Sequence, residues 1–137
     1  MRERQDSYKH TIGTIAEMRL VAELLSRGFK VAKPIVDDGV DLVVNYKLCL
    51  QIKSMSKATS FNSYQFKIRN EWKTSKGSID LAPEVDIIAL YAIDIDGWWL
   101  IPREEVEGVT TICITPEYVK NIYNRWRDAW FLLDERG

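Results

Sequence analysis

Two strand-like runs in this chain carry polar side chains where a buried strand would be apolar. Gly39-Val40-Asp41-Leu42-Val43-Val44 is followed, after a short break, by Leu50-Gln51-Ile52-Lys53-Ser54. The two-residue period of a strand sends Gln51 and Lys53 to one face and Ile52 to the other. If the runs pair as a hairpin turning near Tyr46, facing residues have numbers that sum to about 92. Asp41 is then expected opposite Gln51, with Lys53 one step along the same face, while Leu42, Val44, Leu50 and Ile52 look the other way. A carboxylate, an amide oxygen and an ammonium would meet at one point. Burying such groups is costly unless they have partners. A divalent cation together with an anionic substrate is the simplest set that satisfies all three.

A second polar residue of interest sits on the first helix, expected from about Ser7 to Arg27 and stopped by Gly28. At 100° per residue, Gly13, Glu17, Leu20, Val21 and Leu24 share one face. Glu17 thus falls within an apolar stripe. It reads either as a structural carboxylate paired with a lysine or as a group delivered beside Asp41 by a helix crossing the hairpin. Gly13, one turn earlier, lets another group approach the helix closely.

The elements that must hold these residues read as one α/β domain over 1–137, a mixed central β-sheet with flanking helices. Strands are expected at about 31–36, 40–45, 48–55, 64–69, 85–93 and 98–102, all in that sheet. Residues 70–83 read as a connecting loop. Thr110 to Ile114 gives a further strand. Thr115-Pro116 supplies an N-cap and a first-turn proline for a final helix carrying Val119, Ile122, Trp126 and Trp130. That stripe is either core or a subunit interface.

Composition narrows the function classes. The 137 residues are 46% hydrophobic, enough for a proper core. No run approaches a membrane span and the N-terminus is no signal peptide, so a cytoplasmic protein is expected. Cys49 and Cys113 lack a second ligand at metal spacing and are expected as buried free thiols. His10, the single histidine, lies in a polar segment and lends little support to Ser-His or Cys-His catalysis. The net charge is only −1, but it is unevenly spread. Residues 47–77 hold seven basic residues against Glu71 alone, and 78–108 hold eight acids against Arg103 alone. A basic middle interleaved with Phe61, Tyr64, Phe66 and Trp72 suits a phosphate-tracking surface.

Glu17, Asp41 and Gln51-Ile52-Lys53-Ser54 together resemble the active-site signature of the PD-(D/E)xK nuclease superfamily. The Gln-x-Lys version, with Gly13-Thr14-Ile15-Ala16-Glu17 and Trp98-Trp99-Leu100-Ile101-Pro102, is most similar to the group I intron homing endonuclease branch. Archaeal Holliday junction resolvases share the same core. The resemblance covers about 11–103 and leaves 104–137, the expected C-terminal strand and helix, open to an oligomerisation role. Residue 40 is Val where the superfamily name has Pro, and residue 51 is Gln where most members have an acid.

The resemblance implies hydrolysis of DNA phosphodiesters with Mg²⁺, or Mn²⁺ as a substitute. Asp41, the Gln51 amide oxygen and the Ile52 backbone carbonyl would hold the cation. Lys53 would act on the scissile phosphate, and Glu17 would support the site. Lys57, Lys67, Arg69, Lys73 and Lys76 are the expected phosphate contacts. Gln65, Lys67, Arg69 and Asn70 are the candidates for base edges. The partner is DNA, duplex or junction, and a symmetric homodimer or homotetramer is expected because so small a domain spans few base pairs. A site-specific homing-type enzyme ranks above a junction resolvase. A decayed nuclease core kept for DNA binding and a self-associating structural protein stay open as other classes.

Overall fold

The computed structural model describes residues 2–36, 38–69, 73–74, 77–78 and 81–136. Helix α1 runs Arg2–Ser26, starting earlier than expected because Arg2, Glu3, Arg4 and Gln5 are good helix formers. Gly28 ends it at φ 88°, donating to Leu25 O at 3.0 Å while Phe29 N donates to Leu24 O at 3.0 Å. That pair of bonds is a Schellman motif, closed by buried Phe29 and Leu24 in one cluster.

Strands β1 (Val31–Ala32), β2 (Leu42–Val44) and β3 (Leu48–Met55) follow. β1 is shorter than the expected 31–36. Pro34 has no N–H to give a ladder, and Ile35 and Val36 are exposed beyond it. β4 (Tyr64–Lys67), the short strands β5 (Lys73–Thr74) and β6 (Gly77–Ser78), β7 (Ile87–Ala92), β8 (Gly97–Pro102) and β9 (Thr111–Ile114) complete the set. β5 and β6 pair with each other inside the segment expected to be loop.

The main sheet has the order β1-β2-β3-β7-β8. β3 and β7 are parallel and every other pair is antiparallel, so the sheet is mixed as expected. In the hairpin Leu42 faces Leu50 and Val44 faces Leu48. This is the anticipated register, set by burying those four leucine and valine side chains on one face. Every residue of β7 is buried, as a strand covered on both faces requires.

Helix α1 covers one face. Arg19 donates to the Tyr91 hydroxyl at 2.8 Å, and Tyr91 is aligned with Ser54 and Trp98. The other face, that of Lys53, Leu90 and Trp99, is covered by a separate ribbon of β4 and β9. The Tyr64 and Phe66 rings each lie 6.4 Å from the Trp99 ring. The expectation that β4 joins the main sheet is therefore corrected. Among the described residues β4 pairs with β9 alone, and its strict alternation, Tyr64 and Phe66 in, Gln65 and Lys67 out, is that of a strand with one packed and one solvated face.

The long final helix is also corrected. The chain after Thr115 forms turns, a 3₁₀ helix at Ile122–Trp126 and the six-residue helix α2 (Phe131–Arg136). Asn124 donates to Thr115 O and Tyr118 O, both at 3.0 Å, and the Asn121 carbonyl oxygen accepts from Tyr123 N at 3.1 Å. These local side-chain bonds compete with a continuous helix. Trp126 and Trp130 are core, whereas Val119 and Ile122 are 93% and 71% exposed.

Candidate active site

β2 pairs with only the first part of β3, so Gln51 to Met55 have no strand partner on that side among the described residues. The chain reaches this open edge through Gly39, at φ 99°, where an added Cβ would lie 3.0 Å from Ala82 Cβ. Arg103 holds the Ala82 segment by donating to Ala82 O at 2.5 Å and Val85 O at 3.1 Å. Asp41 then steps out of the ladder. Its N–H goes to Leu50 O at 2.9 Å, not to the Gln51 position, and its Oδ2 accepts from Ile52 N at 2.7 Å. Two residues against one is the geometry of a β-bulge, which re-aims a side chain. The carboxylate sits at the strand edge rather than on the Gln51 face.

A cavity of about 450 Å³ opens here on the α1 side, with Gly13, Glu17, Lys33, Asp41, Ile52 and Ser54 in its wall. Helix α1 thus does bring Glu17 to the Asp41 site. The buried stripe of the helix is Ile12, Ala16, Leu20 and Leu24, so Glu17 lies at its margin, with 17% of its side chain exposed. Lys33 Nζ is 2.9 Å from each Glu17 carboxylate oxygen. The lysine partner left open by the sequence is therefore Lys33. Gly13 leaves open space, with nothing within 4 Å of where its Cβ would be. His10 lines the same cavity. Neither Lys33 nor His10 has a sequence signal at site spacing. Chain folding alone brings them in.

Gln51 and Lys53 are not in that wall. Alternation along β3 sends them to the opposite face from Ile52 and Ser54. Asp41 lines the α1-side cavity with Ile52 and Ser54, so the expectation that Asp41, Gln51 and Lys53 meet at one point on one face is corrected. Gln51 Oε1 is buried and has no hydrogen-bond partner. An unpaired buried carbonyl oxygen is an expensive feature unless a ligand satisfies it. It is also the donor a hard divalent cation takes, so the residues present fit one. Among the described residues no group of three His, Cys, Asp or Glu side chains gathers. Next to Gln51 on its own face, burial first and then the Asp86 charge push the Cys49 thiol up, which disfavours its thiolate. Cys49 is half-buried and Cys113 is exposed on β9, which corrects the expectation that both thiols are buried.

Of the expected DNA contacts, Lys57, Gln65 and Lys67 are exposed, the last two on the outer face of the ribbon. Arg69 is different. It is half-buried and its guanidinium donates to Val106 O and to Val109 O. It anchors the 3₁₀ turn at Arg103–Val106 and its donors face the protein. Asn70 and Lys76 lie outside the described residues, and Lys73 is described by its backbone in β5 only.

The family model for PD-(D/E)XK endonucleases matches residues 7–133. The chain belongs to that family. Its fold is also that of a solved bacterial homing endonuclease, I-Ssp6803I, with a TM-score of 0.78 and 21% identity over 93% of this chain and 94% of that one. No curated protein matches the sequence. Among the described residues no helix is long and apolar enough to cross a membrane.

Proposed function

We propose that this PD-(D/E)XK family member is a divalent-metal-dependent DNA endonuclease of the homing type, cutting duplex DNA at a specific site. The carrying observation is Gln51 Oε1, buried and unpartnered at the open edge of β3, one residue from the Ile52 N–H that holds Asp41. Asp41, Gln51 and the Ile52 carbonyl are the groups that would hold Mg²⁺ or Mn²⁺. When bound, the cation supplies Lewis acidity and an acidified water. Lys53 offers an ammonium with no ion-pair partner among the described residues, suited to charge that grows on a phosphate. Glu17 keeps a second carboxylate at the cavity, held in place by Lys33. Lys57, Gln65 and Lys67 offer the exposed polar surface for the duplex. The likeness to a homing endonuclease favours site-specific cutting over junction resolution. A homodimer or homotetramer would supply the reach.

A catalytically decayed DNA-binding module is the second reading. The Glu17–Lys33 ion pair favours it, because a cation already neutralises a carboxylate at the cavity. Cleavage assays on plain duplex, plasmid and four-way junction, with Mg²⁺, with Mn²⁺ and with EDTA, separate the cases. Metal-dependent cutting of duplex supports the proposal. Selective cutting of the junction makes the protein a resolvase. Binding without cutting in either metal leaves the decayed module.

A further inference from the structure

Between Lys53 and the β4–β9 ribbon, the chain forms a short loop that presents one large ring to solvent. Phe61 is 92% exposed. It has φ 68°, and Asn62 next to it has φ 55°. Two successive non-glycine residues in the left-handed region are unfavourable, most of all for a bulky one. Such strain persists only where the surroundings enforce it, and it concentrates at functional positions. Here the enforcement is visible. Thr59 N and Thr59 Oγ1 both donate to Ser63 O at 2.8 Å, closing the loop around the ring.

The charge around the loop selects the partner. From Leu42 to Asn70 the sequence contains no acidic residue, while Lys53, Lys57 and Lys67 flank the ring on both sides. Asn62, the residue after Phe61, lines a cavity with Asp94, Glu117 and Arg127, where the guanidinium offsets part of the acidic charge; Phe61 is not in its wall. An apolar partner would gain nothing from this surround, whereas a polyanion with flat apolar faces gains from both parts. We propose that Phe61 is a preformed DNA-stacking residue, whose ring packs on or wedges into a base step of the duplex held by Lys57 and Lys67. Aromatic wedges and stacking platforms beside basic surfaces are a general way to grip nucleic acid. This inference rests on the DNA-endonuclease reading above and adds a contact made to bases rather than phosphates.

The test uses the full chain in EDTA and a mixed-sequence duplex of roughly three helical turns, followed by fluorescence anisotropy across a salt series. Phe61→Gly removes the ring and suits the left-handed backbone, so the fold is retained. Its affinity should fall on the order of 10- to 100-fold, with the salt slope unchanged because no phosphate contact is lost. Lys57→Ala and Lys67→Ala should instead flatten that slope. The melting temperature of Phe61→Gly should rise by roughly 2–5 °C as the strain is relieved. Phe61→Trp should keep the wild-type affinity. Unchanged affinity in Phe61→Gly, or a shift in its oligomeric state instead, overturns the proposal and makes the ring a protein contact. A fall in its melting temperature overturns it as well, since the ring would then be packing on the protein. Wild type that binds no duplex either in EDTA or in Ca²⁺ would instead refute the DNA-endonuclease reading on which this rests.

Discussion

Lys33 Nζ is equidistant, at 2.9 Å, from the two carboxylate oxygens of Glu17, across the mouth of the cavity that also holds Asp41. The lysine comes from the segment after β1 and the glutamate from α1, so the ion pair ties the helix to the hairpin end of the sheet. With 63% of the Lys33 side chain exposed, the pair adds less than about 1 kcal/mol to stability. Its effect on ligands is larger in kind. A cation entering the cavity meets a carboxylate already neutralised.

Lys33→Met should therefore tighten Mn²⁺ binding by about 2- to 5-fold in calorimetry while shifting the melting temperature little. Weaker Mn²⁺ binding in this variant would show that Lys33 positions Glu17 for the metal and does not compete with it.

Asp41→Ala and Lys53→Ala should each lower single-turnover cleavage by at least about 100-fold. Asp41 also accepts the Ile52 N–H bond, so its loss should cost about 1 kcal/mol of stability. Lys53 should cost almost none. Circular dichroism melts beside the cleavage assay check both halves, and full activity in Lys53→Ala would remove it from the mechanism.

Gln51→Glu tests the orphaned oxygen directly. A carboxylate at this buried position, without a partner, should destabilise the metal-free protein. Millimolar Mg²⁺ or Mn²⁺ should restore the melting temperature, because a ligand that binds only the native state adds to its stability. A variant that melts lower and does not respond to metal would show that Gln51 closes a hydrogen-bond network instead.

Tyr64 anchors the ribbon under Trp99 and donates to Asp94 Oδ1 at 2.6 Å. Burial first, then the bond to Asp94, push its phenol from 10.0 up to about 12. A folded-state value above the unfolded one stabilises the protonated form. That stability is complete below pH 10 and is lost as the pH rises toward 12. Ultraviolet difference titration should show this phenolate forming near pH 12, and Tyr64→Phe should blunt the alkaline loss of stability over that interval.

Much of this protein is legible from residue types and periods alone. The β2–β3 register follows from Leu42, Val44, Leu48 and Leu50, because slipping by one residue would turn all four away from the fully buried face under α1. The end of α1 follows from Gly28, and the central position of β7 from its unbroken apolar run. Glu17, Asp41, Gln51 and Lys53 stand out because each is polar where its neighbours are apolar. Local patterns carry that information since they reflect which face is wet.

What the patterns do not carry is decided by contacts between distant segments. β4 alternates like any half-buried strand, and only its packing on Trp99 through Tyr64 and Phe66 makes it a ribbon beside the sheet rather than a strand within it. Val119 and Ile122 keep helical spacing, yet Asn121 and Asn124 bond to the backbone around them and the helix does not form. Arg69 reads as a DNA contact by charge and becomes an anchor for Val106 and Val109 carbonyls by position. Asp41 leaves the ladder because Ile52 N–H, at an edge that β2 abandons, offers its carboxylate a partner. Lys33 and His10 enter the cavity with no spacing to announce them. In each case the deciding energy lies in a pairing across the chain, which neither composition nor period can encode.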